Sequence, residues 1–571
     1  MKAMQPRWGA FLAAALSLLT AGCLLWAAES ESKPDPGFRL TDVTAKAGIT
    51  FRHNNGAFGG KFLPETLGAG AAFLDYDKDG WQDILLVNGA DWPGHRTQRT
   101  TMSLYRNNHD GTFTDTTRRA GLDVEMYGMG VAVGDFNNDG YPDLFVTAVG
   151  QSHLFRNTGA GGFIDVTVKA GIGGHNGFST SALWFDYDRD GQLDLFVGNY
   201  VRWSEGQDVF CSLDGQHKSY CTPEAYRGST CWLFHNRGDG TFEDVTAKSG
   251  VFDSSSKSLG VAMLDYDADG WPDLFVANDT QPNRLYRNNH DGTFRDVAIE
   301  AGVAFSEDGK ARAGMGVDVG DFENSGYPGI AVTNFDDEMM GLYRGNPKGI
   351  YTDLASTTPI GRLSRRSLGF GLFFFDANLD GRLDLLVVNG HIDDTVRNIR
   401  KDVRYEQPPH LFVNSGAGGF YDAAEAVGAE FAQAKVGRGA AYGDFDNDGD
   451  PDVLITTNHG PAALYRNDQT GRKRNWIRFE LAGVASNRDA IGTTVRIYYG
   501  GRYSSRVVKS GSSYLSQSEL PLTFGLGAGE LVDRVVAEWP SGRRETLTGL
   551  KPGRYTWVEG QGAKTYETAR R

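Results

Sequence analysis

The stretch DYDKDGWQD, residues 75 to 83, places four aspartates around a glycine: Asp75, Asp77, Asp79 and Asp83, with Gly80. Counted from Asp75 they occupy positions 1, 3, 5 and 9, and the glycine occupies position 6. Carboxylates at alternate positions converge only where the chain coils tightly, which glycine permits. Two such charges 4 Å apart repel by about 4 kcal/mol in an intermediate dielectric. A hard cation bound through oxygen removes that penalty. Calcium suits six or more oxygens in a flexible loop, with the carbonyl of position 7, here Trp81, as a further ligand, whereas magnesium prefers fewer protein ligands and retained water. A solvated acidic turn is the plainer alternative, and one copy would not decide between them.

The pattern recurs. Asp135, Asn137, Asp139, Tyr141 and Asp143 repeat it, as do Asp186, Asp188, Asp190, Gln192 and Asp194. It returns at Asp265, Asp267, Asp269, Trp271 and Asp273, then at Asp376, Asn378, Asp380, Arg382 and Asp384. The last copy is Asp444, Asp446, Asp448, Asp450 and Asp452. Asn137 and Asn378 keep an amide oxygen at position 3. A further copy keeps Asp321 and Glu323 but has Ser325 and Gly329 in place of acids. The expectation is about six structural calcium ions, with weak or no binding at that fifth loop.

The elements that must position these loops are short strands. An apolar segment such as GVAVGD precedes each loop and DLFV follows it. Then come LYRN and TFTDTT, flanking tight turns of the type that closes β-hairpins. Four strands per unit and seven units predict an all-β chain whose main body is a seven-bladed β-propeller. GFRLTDVTAKAGI (37–49) is an outermost strand without a partner before it, and ALYRND (463–468) lacks an ordinary strand after it, so the ends are expected to close the ring in the seventh blade. Glycine, 75 residues of 571, exceeds the usual share without a collagen period, and the excess is assigned to turns. WIRFEL, TTVRIYY, RYSSRVVKS, LTFGLG, DRVVAEWP and RYTWVEG predict a second, small β-sandwich. The expected organisation is an export segment over 1–33, the propeller over 34–470, the sandwich over 471–560 with GRKRN (471–475) as linker, and a tail over 561–571.

These motifs carry a family resemblance. The acidic loops resemble the FG-GAP (VCBS-type) repeats of integrin α-subunit propellers. LPETLGAGAAFLDYDKDGWQDILLVNG, the LYRNNHDGTFTDTT hairpins and SYCTPEAYRG resemble the cartilage acidic protein family, which has bacterial members. NWIRFEL, SNRDAIGTTVRI, GSSYLSQSE, FGLG and WPSG are similar to its ASPIC/UnbV domain. Members often carry histidine just before FGLG, where Thr523 stands here. The resemblance implies a calcium-dependent extracellular binding or adhesion protein.

The first 30 residues combine Lys2 and Arg7 with an apolar run from Trp8 to Ala28, an export signal rather than part of the fold. LTAGC resembles a lipobox, which would make Cys23 a lipidated N-terminus; cleavage elsewhere or an uncleaved anchor are the alternatives. The chain is thus expected to be secreted, periplasmic or surface-held, touching a membrane only through its N-terminus. In an oxidising compartment Cys211, Cys221 and Cys231 give one disulfide and one spare thiol. The expected pair is Cys211–Cys221; zinc held with His217 and His235 does not match ligand spacings. A net charge of −15 opposes nucleic-acid binding.

Asn88, Asn199, Asn278, Asn334 and Asn389 each follow position 9 by five residues, at the end of the second strand of a blade. With Tyr200, Trp203, Asp279 and His391 they form a hypothetical polar rim for a protein or glycan ligand, the alternative being that they only shape turns. RGD at 237–239 lies in a hairpin turn and is discounted, as is the sequon at Asn278. No GxSxG, HExxH, P-loop or positioned Cys-His pair is present. A polysaccharide lyase, for which Tyr200, His391 and Arg397 would be the residues to test, and a purely structural surface protein remain the alternatives to a binding module.

Overall fold

The computed structural model describes residues 34–566 apart from 417–418 and 472–473. Cys23 and the export segment lie outside the described residues. Seven four-stranded antiparallel blades follow one another. Blade 1 is Ala71–Leu74, Asp83–Leu86, Ser103–Asn107 and Phe113–Asp115. The innermost strands of the next six are Gly128–Gly134, Asn176–Phe185, Ser258–Leu264, Val317–Gly320, Gly369–Phe375 and Gly437–Gly443. Innermost and second strands are buried on both faces, so they read as continuous apolar runs rather than alternating ones. Phe38–Asp42 pairs antiparallel with Ala463–Gln469, Leu40 opposite Asn467, so the first strand of the chain completes the last blade. The ring closes as its sequence predicts.

The C-terminal strands form two four-stranded sheets. One holds Asn475–Ala482, Leu522–Gly527, Gly553–Val558 and Gly562–Thr565; the other holds Thr494–Tyr499, Arg502–Val507, Val532–Glu538 and Arg544–Leu550. Their shared core is built on Phe479, Val495, Ile497, Trp539 and Trp557. Two features differ from the sequence reading. Asn475–Ala482 and Gly553–Val558 run parallel. The strand Gly562–Thr565 also lies beyond residue 560; its four residues carry too little apolar pattern to be read as one.

The sandwich does not hang from a linker. Its segment 509–519, KSGSSYLSQSE, enters the propeller and bonds to the innermost strands. Gln517 N–H donates to Ala71 O at 2.9 Å, Val131 N–H to Leu515 O at 3.1 Å and Ser513 N–H to Val317 O at 2.7 Å. Leu515 N–H reaches Ser181 Oγ at 3.0 Å, Leu372 N–H reaches Ser513 Oγ at 3.1 Å, and Tyr442 N–H reaches Ser518 Oγ at 3.1 Å. Six of the seven blades are touched in this way. Inner strands otherwise leave backbone donors facing the axis, and burying them unpaired is costly. The segment fits because glycines line its path: a Cβ on Gly70 would lie 2.1 Å from Leu515 O, and one on Gly130 3.0 Å from Leu515 Cα. Part of the glycine excess therefore serves close packing, not turns. Among the described residues no helix is long and apolar enough to cross a membrane.

Candidate metal centres

Each acidic loop is shaped by its own backbone before any cation is considered. Position 1 works as a double acceptor: Asp75 takes N–H bonds from Asp79 and Gly80 at 3.0 and 2.9 Å, and Asp135, Asp186, Asp265 and Asp376 do the same in their loops. Position 4 adopts a left-handed conformation in all seven loops, from Lys78 at φ 57° to Asn447 at φ 60°, and the glycine at position 6 follows with φ between 86° and 100°. The fifth loop shares this shape through Asn324 and Gly326, so the coil is set by the backbone and not by the full acid set.

Position 9 has a role that spacing alone did not reveal. In all six complete loops one oxygen accepts the N–H of position 2, and the other accepts an N–H from the third strand of the blade. For Asp83 the donors are Tyr76 at 3.1 Å and Asn107 at 2.8 Å; for Asp452 they are Phe445 and Asn467 at 3.0 and 2.8 Å. That third-strand asparagine, the last letter of LYRN, then ties neighbouring blades. Asn157 Nδ2 donates to Tyr76 O of blade 1 at 2.8 Å, Asn236 to Phe136 O of blade 2, Asn288 to Tyr187 O, Asn414 to Phe322 O, Asn467 to Ala377 O and Asn107 to Phe445 O. Gly345 stands at this place in blade 5, leaving one seam, between blades 4 and 5, without the tie. The recurring LYRN was the available signal for it.

What the backbone does not satisfy is position 3. Asp77, Asp188, Asp267 and Asp446 each keep a buried Oδ1 with no hydrogen-bond partner. Carboxylate oxygens of Asp75, Asp77 and Asp83 lie within 4.8 Å of one another, and comparable groups form at Asp186, Asp188 and Asp190, at Asp265, Asp267 and Asp269, and at Asp444, Asp446 and Asp452. Burial pushes Asp75 and Asp265 up to about 6, Asp186 up to about 8 and Asp194 up to about 7. The outward oxygens of Asp77, Asp267 and Asp188 are already met by basic side chains. Arg106 bonds Asp77 and Asp79 at 2.6 Å, Arg287 bonds Asp267 at 2.9 Å, and His235 lies 3.4 Å from Asp188. These side chains leave the inward Oδ1 atoms alone. An unpaired buried carboxylate oxygen is costly, and four equivalent ones turned into equivalent clusters fit a hard cation. Loops 2 and 6 have Asn137 and Asn378 at this position, whose Oδ1 atoms accept N–H bonds from Asp139 and Asp380 at 3.0 and 3.2 Å.

The sandwich sits against this face of the ring. Asp489 accepts the N–H of Asp135 at 2.7 Å, Gly525 N–H donates to Asp376 at 3.0 Å, and Arg554 bonds Asn447 at 2.6 Å and Gly80 O at 3.2 Å. Glu519 accepts the N–H of Asp444 at 3.0 Å while forming a two-bond pair with Arg478 at 2.6 and 2.5 Å. Thr523 accepts a further bond from Arg478 at 2.8 Å, which gives this departure from the expected histidine a structural role. Loops 1, 2, 6 and 7 are thus bonded to the sandwich.

The proposed polar rim is corrected. Asn88, Asn199, Asn278, Asn334 and Asn389 are all buried, as are Tyr200, Asp279 and His391. The asparagines latch the loop that follows: Asn199 Nδ2 donates to Thr230 O at 2.9 Å, Asn278 to Pro282 O at 2.9 Å, Asn334 to Met339 O at 2.7 Å and Asn389 to Pro408 O at 2.7 Å. Asn88 accepts from Asn54 N–H at 2.7 Å. Tyr200 donates to Asp279 at 2.6 Å, His391 faces Asp336, and Trp203 packs on Phe62 and Trp92. Tyr200 and His391 therefore serve separate buried contacts, not a cleft shared with Arg397. Cys211 and Cys221 form the expected disulfide, and Cys231 is free and buried.

Comparison with known proteins agrees with this architecture. Residues 75–146, 135–197, 207–276 and 265–332 match the FG-GAP-like repeat, and residues 483–565 match the ASPIC and UnbV domain. The chain thus carries FG-GAP-like repeats in its propeller and an ASPIC/UnbV domain after it. It is similar to cartilage acidic protein 1 of Homo sapiens, 25% identical over 507 residues that cover 84% of this chain and 70% of that protein. The Mus musculus protein is 26% identical, with 84% and 71% covered. An Agrocybe aegerita lectin that recognises non-reducing terminal N-acetylglucosamine covers 81% of this chain and 100% of its own at 14% identity and a TM-score of 0.40, a likeness too loose to bear on ligand or mechanism.

Proposed function

We propose that the protein is an exported binding module for a protein or glycan, held in shape by about six calcium ions in loops 1, 2, 3, 4, 6 and 7. The observation that carries the metal reading is the repeated orphan Oδ1 at Asp77, Asp188, Asp267 and Asp446. Positions 1, 3, 5 and 9 would supply side-chain oxygens, and position 7 a carbonyl. A bound ion supplies charge neutralisation and ties the first strand of a blade to the second. Export is supported by the signal-like pattern of the first 30 residues and by the Cys211–Cys221 disulfide, a bond that persists in oxidising compartments. The binding role is supported by the similarity to cartilage acidic protein 1 and by the spread of the acidic side chains into structural duties. The test is a glycan and protein array probed with and without calcium. Binding without turnover, lost on chelation, is expected; release of unsaturated sugar products would replace this reading with a lyase.

A further inference from the structure

Between the sandwich and blades 3 to 5 lies a cavity of about 420 Å³, within the range of small-molecule sites. Its place in the fold is particular. The described residues give no hydrogen bond from the sandwich to loops 3, 4 or 5. The cavity also lies over the seam where Gly345 replaces the inter-blade asparagine and where the fifth loop has Ser325 and Gly329 in place of two of its acids. Met263, Phe374, Ile491 and Leu522 give the cavity an apolar side, and charged residues, Arg496, Lys509, Arg543 and Arg544 among them, line the rest. Two buried donors on its lining lack acceptors: Arg506 Nη2, on a side chain 10% exposed, and Trp539 Nε1, on a residue 3% exposed. Arg506 Nη1 is spent on Ser505 O at 2.9 Å, and the carboxylate nearest Nη2 is Asp376 at 4.0 Å, position 1 of the sixth metal loop. At the rim Arg189 stacks on Trp271 at 4.4 Å and its Nε is likewise unpartnered. The acids of the lining have partners: Glu538 pairs with Arg496, Asp321 accepts from Ser325 and Gly326 N–H, and the metal-loop residues Asp186, Asp265 and Asp269 accept N–H bonds within their own loops.

We infer that this cavity binds an organic anion, a carboxylate carried on an apolar body, with Arg506 and Trp539 donating to the anionic group and the apolar side of the cavity packing against the rest. Unpaired buried donors beside an apolar wall are satisfied by an acceptor of that kind, and a charged hydrogen bond there is worth a tenfold or larger effect on affinity. The experiment is calorimetric titration of the calcium-loaded full chain with octanoate, with displacement of 8-anilinonaphthalene-1-sulfonate as a second readout. One saturable site is expected, weakened about tenfold or more in R506Q and abolished in T494W, which adds an indole at the cavity wall on the strand paired with that of Arg506. Unchanged melting and calcium content show that each variant is folded, and T494W carries the test if R506Q is not. No saturable octanoate binding, or binding indifferent to T494W, overturns the inference. Asp186, Asp265 and Asp269 of metal loops 3 and 4 also line the cavity, so metal content is measured separately: a failure of the calcium reading appears there, whereas the donors Arg506 and Trp539 belong to no metal loop.

Discussion

Replacing Glu519 with leucine severs the sandwich from blade 7 at one defined point. Glu519 and Arg478 are each 1% exposed at the side chain and share two bonds of 2.6 and 2.5 Å. Burial alone would lower the pKa of Arg478, yet Glu519 and Asp444 hold it above its usual value. Removing the acid leaves a buried guanidinium with Thr523 and, at 3.8 Å, Asp444 as its remaining partners. Breaking one half of such a pair costs about 3–5 kcal/mol, and orphaning the N–H of Asp444 adds about 1–3 kcal/mol. R478M should cost a similar amount to the first figure. The double variant R478M/E519L replaces the pair by apolar groups and should lose only about 1–3 kcal/mol, so the two changes are strongly non-additive. Urea unfolding in saturating calcium, read by tryptophan fluorescence as a double-mutant cycle, measures this. Single variants costing under about 1 kcal/mol, or a double variant equal to their sum, would refute the claim that Arg478 and Glu519 act as one buried unit behind the bond from Glu519 to Asp444 of blade 7.

Four further outcomes are expected. In calcium-free buffer the raised pKa values of buried loop aspartates, from about 6 for Asp75 to about 8 for Asp186, mean the folded state holds more protons than the unfolded one. Their contribution to stability is thus fullest below the unfolded value of about 4 and is lost as pH rises through 6 to 8. The melting temperature without calcium should fall between pH 5 and 8 while the calcium-induced rise grows; a calcium shift flat with pH would contradict this. F38A truncates a residue fully buried on the closing strand and should cost about 3–5 kcal/mol by denaturant unfolding; a loss under about 1 kcal/mol would show that the first strand does not hold the ring closed. N236A removes the bonds from Nδ2 to Phe136 O and Leu193 O and should cost about 1–3 kcal/mol, whereas a neutral result would deny the inter-blade tie. Reducing Cys211–Cys221 should expose the loop 199–231 to limited proteolysis while the melting of the ring is kept; loss of the whole fold would contradict a local role.

The metal loops were legible because their chemistry is local: alternating acids and a glycine have one economical geometry, and seven copies in register fix the blade count. Closure by Phe38–Asp42 was legible for the same reason, an unpaired strand pattern at each end. The asparagine rim was misread because an asparagine at a strand end looks the same whether its amide meets a ligand or a loop carbonyl; only the course of the following loop decides, and it buries Asn199 and Asn389. The insertion of segment 509–519 into the propeller was not legible at all. KSGSSYLSQSE has the composition of a surface turn, and its partners are inner-strand N–H and C=O groups at Ala71, Val131 and Val317, which leave no side-chain pattern. Gly345 and Thr523 were visible as departures from a pattern, but their consequences, an untied seam and a new acceptor for Arg478, depend on partners far away in sequence.

The most direct test of the account is the calcium content of the protein after exhaustive dialysis against micromolar calcium, by elemental analysis alongside native mass spectrometry. The account predicts six ions per chain, five after D77A, and no change after S325A in the fifth loop. Two ions or fewer, or six that persist in D77A, would contradict it.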